Sequence, residues 1–194
     1  MILAASLLFA FCPQLDSELE ALVDLPTAKE RAARAAALAK DKEVGLEDWL
    51  EAMQDFGSFD TPPRGVDRYR EALTVAGRLE ETELAVYVPE RYDPNTPSAM
   101  LLLLHGAGED GRGMLEAWRP FAERAGVLLF APTDAAGRGG YTFQQRERLA
   151  ALAALRWFRR RYNVDEDRVH LAGVSRGAHL GWDLATRYPD RWAS

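Results

Sequence analysis

The sequence has 194 residues, a formal net charge of −6, 28% charged residues and 47% hydrophobic residues. This length and balance are typical of a soluble globular protein with a core of its own. The negative net charge argues against a nucleic-acid backbone as partner. A single cysteine, Cys12, excludes an internal disulfide and a cysteine-based metal site. The three histidines have no metal-ligand spacing to one another, so no metal is predicted.

The first twelve residues are almost wholly apolar, and Pro13 ends the run. The run is too short for a membrane span and has the length of the apolar part of a signal peptide. However, no Lys or Arg precedes it and no Ala-x-Ala cleavage site follows. Two interpretations stay open: an export signal of a secreted or periplasmic protein, and a buried N-terminal helix of a cytoplasmic one. Neither predicts stable insertion into a membrane.

Residues 13–60 are predicted to form a helical extension, because apolar residues recur there at helical spacing. Thr27 followed three positions later by Glu30 is a capping-box pattern for one of its helices. Turn-forming residues concentrate at 57–67 and mark a boundary. The main domain is assigned to 66–194, and no cluster of residues in the extension suggests chemistry.

The main domain opens with two strand candidates, Tyr69–Ala76 and Glu83–Val88, about a turn at Gly77, which predicts an antiparallel hairpin. From residue 98 onward, apolar runs alternate with amphipathic stretches. This rhythm predicts an α/β fold with a mostly parallel sheet and helices on both faces. Pro120 is expected near the start of the first helix or at a kink in it. The predicted elements are a strand at Met100–Leu104, a helix at Met114–Ala125, a strand at Val127–Ala131, a helix at Arg146–Tyr162 and a strand at Val169–Ala172.

The strongest chemical motif is G-V-S-R-G at 173–177, which lies between the last predicted strand and a helix that ends near Tyr188. Strand, Gly-x-Ser-x-Gly and helix is the arrangement of a nucleophile elbow. Its serine sits on a tight, strained turn that raises the hydroxyl above the sheet. Gly173 and Gly177 are needed because side chains there would collide across the turn. The motif predicts Ser175 as a catalytic nucleophile rather than a serine in an ordinary Gly-rich turn.

A second motif, H-G-A-G, follows the predicted central strand. Acyl transfer through a serine creates an oxyanion, which two backbone N–H groups can stabilise. The N–H of Ala107 and that of Arg176, the residue after the serine, are the natural pair for this oxyanion hole. Gly106 and Gly108 allow the close turn, and His105 is expected to hold that turn by hydrogen bonds rather than to act as a base.

Together, the two motifs resemble those of the α/β-hydrolase superfamily. The resemblance covers the chain from Arg68 to its end and rests on the segments 101–111, 162–179 and 187–193. It is similar to the esterase branch, which contains polyhydroxybutyrate-depolymerase-like, feruloyl-esterase-like, phospholipase/carboxylesterase and dienelactone-hydrolase-like proteins. The resemblance implies cleavage of a small-molecule carboxylic ester through a serine nucleophile and an acyl-enzyme, without a cofactor.

The resemblance also implies a catalytic triad in the chain order Ser, then Asp or Glu, then His. In that order the acid and the histidine come several tens of residues after the serine, whereas this sequence runs only from Ser175 to Ser194. We therefore expect both partners to lie outside this chain, the domain to be the N-terminal portion of a longer hydrolase, and the 194-residue chain to be inactive. The candidates within the chain are interpreted as structural: His105, His170, His179, Asp134, Asp183 and Asp190.

Two alternative functions stay open. The same fold serves peptidases of the prolyl-oligopeptidase type and acyltransferases, and a non-catalytic module of this fold could bind a ligand or a partner. An intact elbow with both glycines argues against the non-catalytic module, because binding has no need of the backbone strain.

Overall fold

The computed structural model describes residues 13–25, 27–40, 44–49, 59–133 and 141–194. The chain forms two compact units, Met1–Gly57 and Ser58–Ser194. The apolar run at 1–12 and Asp134 lie outside the described residues, and so does most of the helix predicted at 46–56, of which residues 46–49 are helical. Within the described ranges, no helix is both long and apolar enough to cross a membrane.

Among its described residues, the N-terminal unit contains the helices α1 (Pro13–Asp24) and α2 (Ala28–Leu38), besides the helical residues 46–49. The predicted capping box begins α2: the hydroxyl of Thr27 accepts from the N–H of Glu30 at 3.2 Å, and the Glu30 carboxylate accepts from the N–H of Thr27 at 3.1 Å. Arg34 of α2 pairs with Glu18 of α1. The described residues of this unit are mainly helical, as the sequence pattern predicts.

The C-terminal unit is built on a five-stranded sheet with the strand order β1-β2-β4-β3-β5. β1 (Gly65–Val75) and β2 (Arg78–Val88) form an antiparallel hairpin, and β2 also pairs antiparallel with β4 (Leu128–Pro132). β3 (Ser98–Leu104) lies parallel to β4 on one side and to β5 (Val164–Gly173) on the other. The parallel strands therefore form the half of the sheet away from the opening hairpin.

Helices cover both faces of this sheet. α3 (Gly111–Ala125) packs on one face, and α4 (Gln145–Arg159) and α5 (Arg176–Arg187) pack on the other. β3 is buried from Met100 to Leu104 between these layers, because helices on both faces shield a central parallel strand from water. The α/β fold class is confirmed.

Several element boundaries differ from the prediction. β1 begins at Gly65 rather than Tyr69, β2 begins at Arg78 rather than Glu83, and α4 ends at Arg159 rather than Tyr162. α3 begins before Met114 because the side chain of Asp110 caps it, accepting from the N–H of Gly113 at 2.8 Å. Pro120 lies inside this helix rather than near its start. β5 begins at Val164, several residues earlier than its apolar run indicates, and its pairing with β3 is irregular near that end.

After α5, the 3-10 turn Pro189–Arg191 leads the chain back to the outer edge of β5. The N–H of Ala193 donates to the carbonyl oxygen of Val169 at 2.7 Å, and the N–H of Leu171 donates to that of Ser194 at 2.9 Å. Both sets of residue numbers increase in the same direction, so this segment runs parallel to β5.

Candidate active site

The two sequence motifs lie side by side because of the register between neighbouring parallel strands. Leu104, the last residue of β3, pairs with Gly173, the last residue of β5. The HGAG loop (His105–Gly108) and the elbow therefore leave the same edge of the sheet, about 4.8 Å apart, which is one interstrand spacing. The N–H of Val174 donates to the carbonyl oxygen of Leu104 at 3.2 Å, so the pairing continues into the elbow. This carboxyl edge is where ligands bind in open α/β sheets.

Ser175 has a strained backbone, with φ 52° and ψ −118°. Residues with a side chain rarely adopt a positive φ. The N–H of Gly177 donates to the carbonyl oxygen of Val174 at 2.9 Å and closes the turn around the serine. Ser175 is exposed, and within the described part of the chain its hydroxyl makes no hydrogen bond. The serine thus presents an unpaired Oγ at the end of the sheet.

Gly173 and Gly177 let the backbone of the elbow fold back on itself. A Cβ on Gly173 would lie 2.5 Å from the carbonyl group of Gly177, and a Cβ on Gly177 would overlap the carbonyl oxygen of Leu104. Backbone atoms of a strand or a helix cannot move away from an added Cβ as the end of a flexible side chain can. Neither position has room for a side chain.

The HGAG loop is held by hydrogen bonds of its own. His105 is fully buried, and its Nδ1 donates to the carbonyl oxygen of Gly106 at 2.8 Å. The N–H of Gly106 donates to the Glu109 carboxylate at 2.9 Å. Gly108 has φ 80°, which glycine adopts without strain. His105 is therefore engaged with its own turn.

Two backbone N–H groups at this edge stay unpaired. Among the described residues, neither the N–H of Ala107 nor that of Arg176 donates to an acceptor. Arg176 is the first residue of α5, where N–H groups have no partner inside the helix and the positive end of the helix dipole lies. Both N–H groups are therefore free to donate to a ligand at this edge of the sheet.

The three histidines of the chain are all engaged away from the Ser175 hydroxyl. His105 holds the HGAG loop. The Nδ1 of His170 in β5 lies 2.8 Å from the Oγ of Ser194, and the ring of His179 packs against the ring of Phe143 with centroids 5.7 Å apart. No histidine side chain of the described residues is hydrogen-bonded to the Ser175 hydroxyl.

Asp183 of α5 is likewise paired elsewhere, with Arg148 at 2.8 Å and Arg187 at 2.6 Å. Burial raises the pKa of Asp183, but hydrogen bonds from the two guanidinium groups outweigh it and hold the pKa below its ordinary value. Asp183 is therefore a charged group that links α4 to α5. In the parts of the chain that the structure describes, no group of three His, Cys, Asp or Glu side chains could hold a metal ion.

One part of this region was missed by the sequence analysis: the 141–144 segment (Tyr141–Gln144), which precedes α4. The carbonyl oxygen of Tyr141 accepts from the guanidinium of Arg176 at 3.3 Å, and the buried Tyr141 ring lies 5.2 Å from the ring of His105. The segment therefore contacts both the HGAG loop and the start of α5. No motif marks it in the sequence, although the glutamate three residues after Gln144 is a capping signal that could have placed the start of α4.

Glu147 holds the 141–144 segment in place. Its buried carboxylate accepts from the N–H of Thr142 at 2.7 Å, from the hydroxyl of Thr142 at 2.8 Å and from the N–H of Gln144 at 3.0 Å. Burial alone would raise the pKa of Glu147. The hydrogen bonds from Thr142 and Gln144 have the larger combined effect and hold the pKa below its ordinary value. The segment is thus built around a buried, charged carboxylate.

Comparison with protein-family models and with curated protein sequences gave no match. Comparison with solved structures gave many. An acetyl xylan esterase from Aspergillus awamori is similar with a TM-score of 0.54 at 16% identity, covering 67% of this chain and 50% of the esterase. A fluorophosphonate-binding serine hydrolase from Staphylococcus aureus has a TM-score of 0.55 at 18% identity, covering 68% of this chain and 55% of the hydrolase. An S-formylglutathione hydrolase from Staphylococcus aureus has a TM-score of 0.53 at 19% identity, covering 66% of this chain and 53% of the hydrolase.

These similarities confirm the fold predicted from the two motifs: the chain has the α/β-hydrolase fold. The chain spans about half the length of the three solved structures.

Proposed function

We propose that Ser175 is the nucleophile of a serine hydrolase that cleaves carboxylic esters through an acyl-enzyme. One observation carries the proposal: an exposed serine with a strained backbone lies at the same edge of the sheet as the unpaired N–H groups of Ala107 and Arg176. Such backbone strain costs on the order of 1–3 kcal/mol and is found mainly where it serves a reaction or binds a ligand. The names of the similar solved structures, esterases and a serine hydrolase, support the same class.

The reaction begins when a base removes the proton of the Ser175 hydroxyl as Oγ attacks the ester carbonyl carbon. The carbonyl oxygen becomes an oxyanion, which accepts hydrogen bonds from the N–H groups of Ala107 and Arg176. The alcohol then leaves with a proton, and water hydrolyses the acyl-enzyme. We assign the base and its acid partner to residues outside this sequence, because the histidines within it are engaged elsewhere.

A fluorophosphonate probe with added imidazole tests the nucleophile. The probe forms a covalent bond to a serine oxygen that has lost its proton, and dissolved imidazole supplies the missing base. We expect the 194-residue chain to react slowly alone, and to gain one label at a rate that rises with imidazole concentration, as measured by intact mass and peptide mapping. Ser175→Ala should abolish the label.

Ser194→Ala is the matched control, because Ser194 is exposed and has the hydrogen bond to His170 that could activate a serine. This variant should be labelled like the parent chain. A label that survives Ser175→Ala, or that imidazole never produces, would refute the assignment of the nucleophile. Fast labelling without imidazole would instead show that the chain already contains a base for Ser175.

A pair of acyl donors separates an esterase from a peptidase. A nitrophenyl ester and a nitroanilide of the same acid carry the same acyl group and differ only in the leaving group, a nitrophenol or a nitroaniline. With imidazole present, we expect the ester to acylate Ser175 and the anilide to leave it unmodified. A faster reaction with the anilide would favour the peptidase, and no acylation by either would favour a non-catalytic binding module.

A further inference from the structure

Phe143 combines a strained backbone with an exposed ring. Its φ is 66°, in a region where a bulky residue is an outlier, and 43% of the residue is exposed. Neither local backbone preference nor burial explains an aromatic residue in this conformation. Strain of this kind persists only where the surrounding structure imposes it, and it concentrates at functional sites.

Contacts on both sides of Phe143 impose the conformation. The neighbouring residues Thr142 and Gln144 donate their N–H groups to the buried Glu147 carboxylate at 2.7 and 3.0 Å. The carbonyl oxygen of Phe143 accepts from the guanidinium of Arg148 at 3.1 Å. Because both charged groups lie on the first turn of α4, the helix fixes the direction in which the Phe143 ring projects.

The Phe143 ring is fixed against the helix that begins at the elbow. It meets the ring of His179 edge to face, with centroids 5.7 Å apart and planes at 73°. His179 lies one helical turn after the serine, and its N–H donates to the carbonyl oxygen of Ser175 at 3.2 Å. Arg148 also bonds Asp183 of α5 at 2.8 Å and so ties the backbone of Phe143 to the same helix.

We propose that Phe143 and His179 form an aromatic wall beside Ser175 that binds a planar aromatic group of the ester substrate. The inference rests on the proposed function of Ser175. Offset and edge-to-face ring contacts add an attraction beyond apolar burial, which corresponds to roughly a two- to tenfold preference for an aromatic ring over a saturated ring of the same size. The wall is fixed before the substrate arrives, so little conformational freedom is lost on binding.

Two small esters test the aromatic wall directly. Methyl phenylacetate and methyl cyclohexylacetate have the same ester group and a similar size. They differ in the ring, which is aromatic in the first and saturated in the second. Each is titrated into the 194-residue chain carrying Ser175→Ala, which removes the nucleophile, and binding is followed by the backbone amide NMR signals. We expect the amides of Phe143 and His179 to shift, and the aromatic ester to bind roughly two- to tenfold more tightly.

Three variants identify the ring that is responsible. Phe143→Leu should abolish the preference for the aromatic ester, whereas Phe143→Tyr keeps a ring and should retain it. Phe121→Leu is the matched control, because Phe121 on α3 is also 43% exposed and should leave the preference unchanged.

Equal affinity for the two esters in the chain with Phe143 intact overturns the inference, and so does a preference that survives Phe143→Leu. The first comparison needs no variant at Phe143, so a Phe143→Leu chain that fails to fold leaves the test decisive. The readout is binding to a chain without its nucleophile. If imidazole rescues labelling of Ser175 but the esters bind equally, the aromatic wall is wrong and the serine hydrolase stands.

Discussion

The backbone of Gly177 packs so closely on Leu104, at the end of β3, that a Cβ atom on Gly177 would overlap the carbonyl oxygen of Leu104. The first turn of α5 therefore begins in direct backbone contact with β3, the strand that leads into the HGAG loop. This contact fixes the start of the elbow helix against the loop through main-chain atoms alone.

We expect Gly177→Ala to lower the free energy of unfolding by about 3 kcal/mol or more, because the added methyl group must displace the backbone of β3. Urea denaturation measures this. Gly181→Ala is the matched control on the same helix, since its Cβ would lie at an ordinary 3.7 Å from the side chain of Leu104. Alanine is the better helix former by about 1 kcal/mol, so Gly181→Ala should stabilise the chain. Similar losses from both substitutions would contradict the steric explanation.

The backbone strain at Ser175 predicts an unusual order of stability for its variants. Ser175→Gly removes the side chain that disfavours φ 52°, whereas Ser175→Ala keeps a Cβ. We expect the glycine variant to be more stable than the alanine variant by roughly 0.5–1 kcal/mol, measured by urea denaturation. Ala76 in the β1–β2 turn has φ 49°, so Ala76→Gly should stabilise the chain in the same way. An alanine variant as stable as the glycine variant would show that the conformation carries no strain.

Glu147→Gln should destabilise the chain at neutral pH by about 1–3 kcal/mol, because an amide cannot accept all the hydrogen bonds that the carboxylate receives. The pKa of Glu147 is lower in the folded state than in the unfolded chain. Its contribution to stability is therefore complete above the unfolded value, about pH 4.3, and is lost as the pH falls through the lower folded value.

The stability difference between the parent chain and Glu147→Gln should accordingly be largest near neutral pH and shrink in acid. Urea denaturation at a series of pH values measures it. The control is Glu116→Gln, which changes an exposed carboxylate on α3 and should have little effect at any pH. A difference that is constant with pH would contradict the role of the charged Glu147 carboxylate.

Arg148 and Arg187 bind the same carboxylate but differ in burial, with side chains 13% and 57% exposed. We expect Arg148→Met to lower the free energy of unfolding by about 1–3 kcal/mol, because it also leaves the carbonyl oxygen of Phe143 without its donor. Arg187→Met should lower the free energy of unfolding by less than about 1 kcal/mol.

In the ester titration, only Arg148→Met should weaken the preference for the aromatic ring. Equal effects of the two substitutions would remove the special role given to Arg148.

The parts of the molecule that could be predicted from sequence are those fixed by local sterics. The elbow is recognisable because glycine is required at fixed positions on either side of Ser175, and the α/β class is recognisable from the alternation of apolar strands and amphipathic helices. The start of α3 was concealed by Gly111 and Gly113, which are poor helix formers. Glycine is required at position 111 because a Cβ atom would overlap the carbonyl oxygen of Ala131 in β4. The local sequence does not reveal this contact between α3 and β4.

The aromatic wall could not be predicted for a related reason. Nothing in the residue type of Phe143 indicates a positive φ, since phenylalanine normally avoids one. The conformation is held by Glu147 and Arg148, which contact the backbone on either side of Phe143 from the first turn of α4. These contacts are local, but Arg148 also bonds Asp183 of α5, 35 residues further along the chain. This long-range contact, and the packing of the ring on His179, are absent from any short window of sequence.

The paired ends of β3 and β5 also bear on how the candidate site would come apart. The spacing between the elbow and the HGAG loop is set by the ladder that joins Leu104 to Gly173, and β3 lies in the core of the sheet. Amide protons in such strands exchange with solvent only when a large part of the domain opens. The positions of Ala107 and Arg176 should therefore persist through local fluctuations and disappear together with the fold. Residues on the surrounding surface could change extensively without misaligning them.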